Sequence, residues 1–167
     1  MKRNAFVSIC FVAVIVFALV AVALSQGNAN SGRKSIEGSW RVLVTSDPPP
    51  PGAPPPPPPF DELITFTSNG GLVETNTVFR PSEATPGHGS WQFAANRTYN
   101  LTFIKFLFDG QGQFNGHLKV RGQIRLENNG NEWSGTGVVD FFDPAGNFLF
   151  SAGTVRVEAT RLPVEPI

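Results

Sequence analysis

The side chains in this sequence that could do chemistry are few. His88 sits in Pro86-Gly87-His88-Gly89, between residues that let a backbone come close to a partner. A histidine there could serve as a general base or as an axial haem ligand, and a solvated loop histidine is the plainer reading. His117 follows Asn115-Gly116 at the entry to a strand and shares its polar parity, so it is expected to face water. Two histidines with no acidic pair at ligand spacing make a weak metal case, and no metal is expected. Asp140 and Asp143 should point to opposite faces and do not form a catalytic pair; Asp143-Pro144 with Gly146-Asn147 reads as turn chemistry. Arg156 and Glu158 share a parity and read as an outward ion pair of little energetic weight. Turned inward, Glu158 would be a buried carboxylate and the best acid–base candidate. Lys105 interrupts an otherwise apolar strand. The nucleophile elbow, the phosphate loop and the zinc helix motif are all missing, so no catalytic residue is assigned.

The elements that must position these groups are strands. In residues 118–126, Leu118, Val120, Ile124 and Leu126 share one parity, and Lys119, Arg121, Gln123 and Arg125 share the other. A period of two belongs to a β-strand with one face on a core and one in water. Gly122 is the gap on the apolar face, a point for bending or close approach. Further strands are expected at residues 39–45, 63–67, 72–79, 90–93, 99–108, 133–142 and 148–162. Residues 80–89 read as a loop, and tight turns fall at 68–71, 109–112, 128–131 and 143–147. No window shows helical periodicity. Eight strands joined mostly by short turns predict an all-β, antiparallel up-and-down barrel with almost no helix.

Such a barrel can hold one small ligand or be filled by its own side chains. Phe66, Trp91, Phe93, Phe106, Phe108 and Phe141 are the expected ligand-lining set, with Phe103 and Phe150 beside them. On the last strand, Phe148 and Phe150 differ in parity from Val155, Val157 and Ala159. A bulge near Ala152-Gly153 would let both groups face inward. The segment 101–108 is apolar on both parities except at Lys105, which predicts a homo-oligomer contact on its outer side. A monomeric mass at micromolar concentration would count against that contact.

The chain opens Met1-Lys2-Arg3, then runs without charge from Ala5 to Leu24, with small residues at Ala21, Ala23 and Ser25. This is the pattern of a secretory signal over residues 1–25, followed by a flexible leader at 26–35, a barrel domain at 36–162 and a tail at 163–167. Export to the periplasm or the medium is expected, or anchoring to a membrane if the apolar segment is kept. The 13 basic and 13 acidic residues balance, and losing Lys2 and Arg3 leaves a slight acidic excess. That excludes a partner that needs a basic patch, such as nucleic acid. The single cysteine, Cys10, lies in the leader, so no disulfide holds the barrel. Residues 47–59 hold ten of the 15 prolines and can be neither helix nor central strand. A straight polyproline rod of twelve of these residues would reach roughly 37 Å. A break at Gly52-Ala53 would let it fold back as a stiff lid.

Gly38-Ser39-Trp40 at the start of the first strand resembles the G-x-W signature of lipocalins and the wider calycin group. The resemblance implies an arginine from the end of the last strand packed across the tryptophan, for which Arg156 and Arg161 are the matching positions, Arg161 nearer the end. It also places the proline run where lipocalins carry the large loop over the open mouth. The phrase from Trp133 to Asn147 resembles exported bacterial proteins. The leading expectation is therefore an exported barrel that binds or carries a small apolar molecule, with no cofactor beyond the remote option of haem at His88. The rival is a cyclase or isomerase of the allene oxide cyclase type, favoured by an inward Glu158, Lys105 or His88. A third option is a structural envelope protein with a filled barrel.

Overall fold

A computed structural model describes residues 35–48 and 55–167. The signal at 1–25, nearly all of the leader and residues 49–54 of the proline run lie outside them. Eight strands follow one another: β1 (Gly38–Ser46), β2 (Phe60–Phe66), β3 (Gly71–Asn76), β4 (Gly87–Ala95), β5 (Thr98–Phe108), β6 (Phe114–Leu126), β7 (Glu132–Phe142) and β8 (Phe148–Arg161). Each pairs antiparallel with the next, and β8 returns to β1 from Trp40↔Arg161 to Ser46↔Val155, closing the barrel. Among the described residues there is no helix. Closure leaves no strand at the edge of an open sheet.

Four elements depart from the reading of the sequence: β3 ends at Asn76 instead of residue 79, β6 starts at Phe114 instead of residue 118, and β2 and β4 both start early. β2 starts at Phe60 instead of residue 63, directly after the last proline, because β1 offers partners as far as Val44↔Phe60. β4 covers Gly87–Ala95, so Gly87-His88-Gly89 is strand and not loop. Its glycines answer crowding, not flexibility. A Cβ on Gly89 would lie 1.9 Å from the Thr102 carbonyl oxygen, and one on Gly87 would lie 2.6 Å from a Glu74 carboxylate oxygen.

The barrel core gathers at one end. Trp40, Trp133 and Phe66 are fully buried and meet edge to face, with ring centroids 6.1 Å (Trp40–Trp133) and 6.3 Å (Phe66–Trp133) apart. Each such ring contributes roughly 1.5–3 kcal/mol by leaving water. The Trp40 indole donates to the Ile36 carbonyl at 2.8 Å. Arg161 lies 4.1 Å over the Trp40 ring and donates to the carbonyls of Glu37, Ser35 and Gly130 at 2.6, 2.7 and 3.0 Å. It ties the entry segment, β1, β8 and the β6–β7 turn into one plug. Arg156 lies elsewhere, on the outer face, paired with Asp47 at 2.9 Å.

The bulge at Ala152 exists: Val139 pairs with Gly153 and Asp140 with Ser151, so Ala152 has no partner, and Gly153 takes a φ of +96°. A second irregularity skips Leu149. Phe150 therefore lines the cavity at its open end, 53 % exposed and stacked on Phe141, whereas Phe148 pairs with Phe142 outside and is 60 % exposed. Only one of the two β8 phenylalanines borders the cavity, and neither is buried. On the outer side of β5, Ile104 and Phe106 are exposed.

Candidate functional site

The aromatic plug closes one end only. Above it the interior is a cavity of about 740 Å³, running from Trp133 towards Phe79, Phe150 and Pro55–Pro57 of the proline run. Its middle is walled by small and aliphatic side chains. Gly122 and Gly137 are register partners on β6 and β7 and both line it, with Val120, Val139, Val155 and Val157 around them. A pair of glycines side by side withdraws two side chains from the wall. The cavity stays open here although Phe60, Phe79, Phe103, Phe141 and Phe150 also line it.

Of the six expected lining residues the cavity wall takes Phe141; Phe103 and Phe150, expected beside them, line it as well. Phe66 is buried in the plug against Trp91, and Trp91 and Phe93 meet Tyr99 at the same closed end. Phe106 has the outward parity of β5, is 52 % exposed and touches Phe114, which also meets Phe108 beyond a register shift after Leu107. Strand parity sends alternate rings to opposite faces, so a run rich in phenylalanine cannot line a pocket with all of them.

The other candidates lie mainly outside. His88 is exposed on the outer face of β4, across from Val73. His117 is half-buried on the outer face and stacks on Phe142 with centroids 4.8 Å apart. Asp140 is buried under Arg121, its ion-pair partner on β6. Asp143 accepts from the Asn147 backbone and side-chain amides at 2.8 and 2.9 Å, which holds its carboxyl below the usual range. Glu158 is exposed and outward; Arg156 pairs with Asp47 and not with it.

Lys105 is the exception. It faces inward at 2 % exposure and meets two glutamates the sequence reading did not single out, Glu74 at 0 % and Glu62 at 8 %. Lys105 Nζ lies 3.1 Å from Glu74 Oε2 and 3.3 Å from Oε1, and it has hydrogen-bond alignment only to Oε1. Asn76 Nδ2 donates to the same Oε1 at 2.9 Å. The pair spans β4. Glu74 is opposite Gly87, which lies one step beyond the His88↔Ile104 pairing, so β4 offers no side chain between Glu74 and Lys105. The lysine stem crosses over the bare glycine. The ammonium also sits 5.7 Å above the Phe79 ring, a further attraction.

Glu62 stands beside this pair, on β2, with Asn76 as its register partner. Among the described residues its carboxyl makes no hydrogen bond. Burial, and then the neighbouring Glu74 charge, push it well above the usual carboxylate range, against a smaller pull from Lys105. Burial raises Glu74 as well, opposed by Lys105 and Asn76. The apolar cavity wall therefore carries Lys105, paired behind it with Glu74, and beside them the Glu62 carboxyl, whose charged form burial disfavours. Trp133 adds a buried indole N–H with no acceptor among the described residues.

The signal for this cluster was parity. Glu62 shares its face with Ile64 and Phe66, and Glu74 shares its face with Leu72. No protein-family model, curated protein or solved structure matches this chain.

Proposed function

We propose that this chain is an exported binding barrel that holds a small, mostly apolar molecule in its interior, under the proline run. The observation that carries the reading is the cavity of about 740 Å³, walled largely by aliphatic and aromatic side chains with a few convergent polar groups. That size and lining are typical of small-molecule sites. The Trp40–Arg161 stack at the closed end agrees with the lipocalin-type resemblance, as does the placement of Pro55–Pro57 at the other end of the cavity. Room for a guest weighs against the filled structural barrel.

A cyclase or isomerase on the same barrel is the second reading. Its support is specific: three ionisable side chains, Glu62, Glu74 and Lys105, stand together in an apolar interior. Groups so placed can be held at protonation states suited to proton transfer.

Native mass spectrometry on protein purified from its own host tests the first reading. The expected result is a discrete adduct that is lost on denaturation. The bare polypeptide mass, with no uptake from a panel of lipids and pigments, would overturn it. If an adduct is found, recovery of the same compound unchanged after long incubation supports a carrier, and its conversion supports an isomerase.

A further inference from the structure

Among the described residues the interior has one cation, Lys105, and two acids, Glu62 and Glu74. Lys105 is committed to Glu74, and Asn76 donates to the same carboxylate. Glu62 is left facing the cavity without a hydrogen bond among the described residues, at 8 % exposure. A carboxyl kept out of water, beside another carboxylate, holds its proton, and a neutral carboxyl has an O–H to donate. The other unpaired polar group on the cavity wall, the Trp133 indole N–H, is also a donor. A pure hydrocarbon would leave both unanswered. A fatty-acid carboxylate would bring a third acid to a lysine already paired, and an ammonium head would stand near the Lys105 charge.

We propose that the guest is a mostly hydrocarbon molecule bearing a neutral oxygen acceptor, of the ketone, aldehyde or ester class, and that the Glu62 carboxyl donates a hydrogen bond to that oxygen. The inference rests on the reading of the barrel as a container for an apolar guest, and adds its head group. Glu62 lies on the part of β2 that pairs with Asn76 at the end of β3, well above the plug. The oxygen sits at this level of the wall, and the apolar body extends towards Val120, Ile124 and Trp133 below. The titratable side chains that face Glu62 are Glu74 from β3 and Lys105 from β5; β1 presents only Val42 and Val44.

Four probes that share one phenyl-alkyl body test this: butylbenzene, butyrophenone, phenylbutyrate and phenylbutylamine. Each is titrated calorimetrically into the purified exported protein and into the Glu62→Leu and Glu62→Gln variants. Glu62→Leu is expected to weaken butyrophenone about tenfold, the worth of one hydrogen bond made out of water, and to leave butylbenzene unchanged or tighter. Glu62→Gln keeps a donor at the same place and retains the ketone within about threefold. In the wild type the ketone weakens as pH rises and Glu62 ionises; in Glu62→Gln it does not. An equal response of ketone and hydrocarbon to Glu62→Leu overturns the inference and leaves the container standing. Preference for the amine, lost in both variants, overturns it in favour of a cationic guest. If none of the four binds the wild type, the container reading falls and this inference falls with it.

Discussion

At the scale of the residue, Glu62 is the least comfortable side chain in the barrel. It is buried, lacks a hydrogen bond among the described residues, and stands beside a second acid. A buried carboxyl whose pKa is raised binds its proton more tightly in the folded chain than in the unfolded one. The sign follows: below the ordinary carboxylate range both states are protonated and nothing is lost. As pH climbs from there through the raised value, the folded state loses stability. Glu74, raised in the same direction, adds to the slope. Glu62→Gln removes the titration, so its stability should fall less steeply with pH, and at high pH it should exceed the wild type by at least ~1 kcal/mol. Urea unfolding across the pH range checks this; parallel profiles would refute it.

Between elements, the decisive position is Gly87 in β4. The Lys105–Glu74 pair crosses β4 only because no side chain stands there. A Cβ at Gly87 would meet Glu74 Oε2 at 2.6 Å and the Phe103 ring at 2.8 Å. Gly87→Ala should therefore cost about 1–3 kcal/mol by overpacking. Gly110→Ala, where a Cβ meets nothing within 4 Å, should stay within about 0.5 kcal/mol of wild type. Equal losses in the two variants by chemical denaturation would show that crowding is not the cause. The β4–β5 hairpin carries the opposite kind of fault. Its turn puts Asn96 at a φ of 48° and Arg97 at 65°. Two left-handed residues make the turn whose twist suits a hairpin, and the second of them prefers glycine. Arg97 offsets part of the strain through its bond to the Asn128 side chain. Arg97→Gly should still stabilise the barrel by about 0.5–1 kcal/mol, read as a rise in melting temperature.

For the whole molecule, hollowness is the property on which function turns. Gly122 and Gly137 withdraw side chains from a wall otherwise built of residues such as Leu101, Leu118 and Val139. Val120 lines the same wall on β6. Val120→Trp would put an indole into empty space, so folding stability should change by less than about 1.5 kcal/mol while guest binding is lost. Calorimetry with butylbenzene and denaturation of the same variant measure both quantities. Unfolding of Val120→Trp would mean that the space is not there in solution, and undiminished binding would place the guest elsewhere.

What the amino-acid order determines by itself is local. Period-two alternation in residues 118–126, the turn residues at 68–71 and 143–147, and the bulge at Ala152 depend on neighbours along the chain, and they were legible there. Eight such strands leave an up-and-down barrel as the natural closure. Glu62 escaped notice because it adjoins the prolines, where a strand was not expected to begin. Glu74 escaped because an acid within a strand reads as a solvated one unless its parity is traced to Leu72. Partners across the barrel are a different matter. Lys105 meets Glu74 only when β3, β4 and β5 are in register with Gly87 between them. Gly122 opens space only because Gly137 is its partner on β7. Contacts between residues far apart in the chain are set by register and closure, and no spacing along one strand encodes them. The tertiary structure alone therefore decided that the barrel is hollow and that its acid–lysine cluster faces the space within.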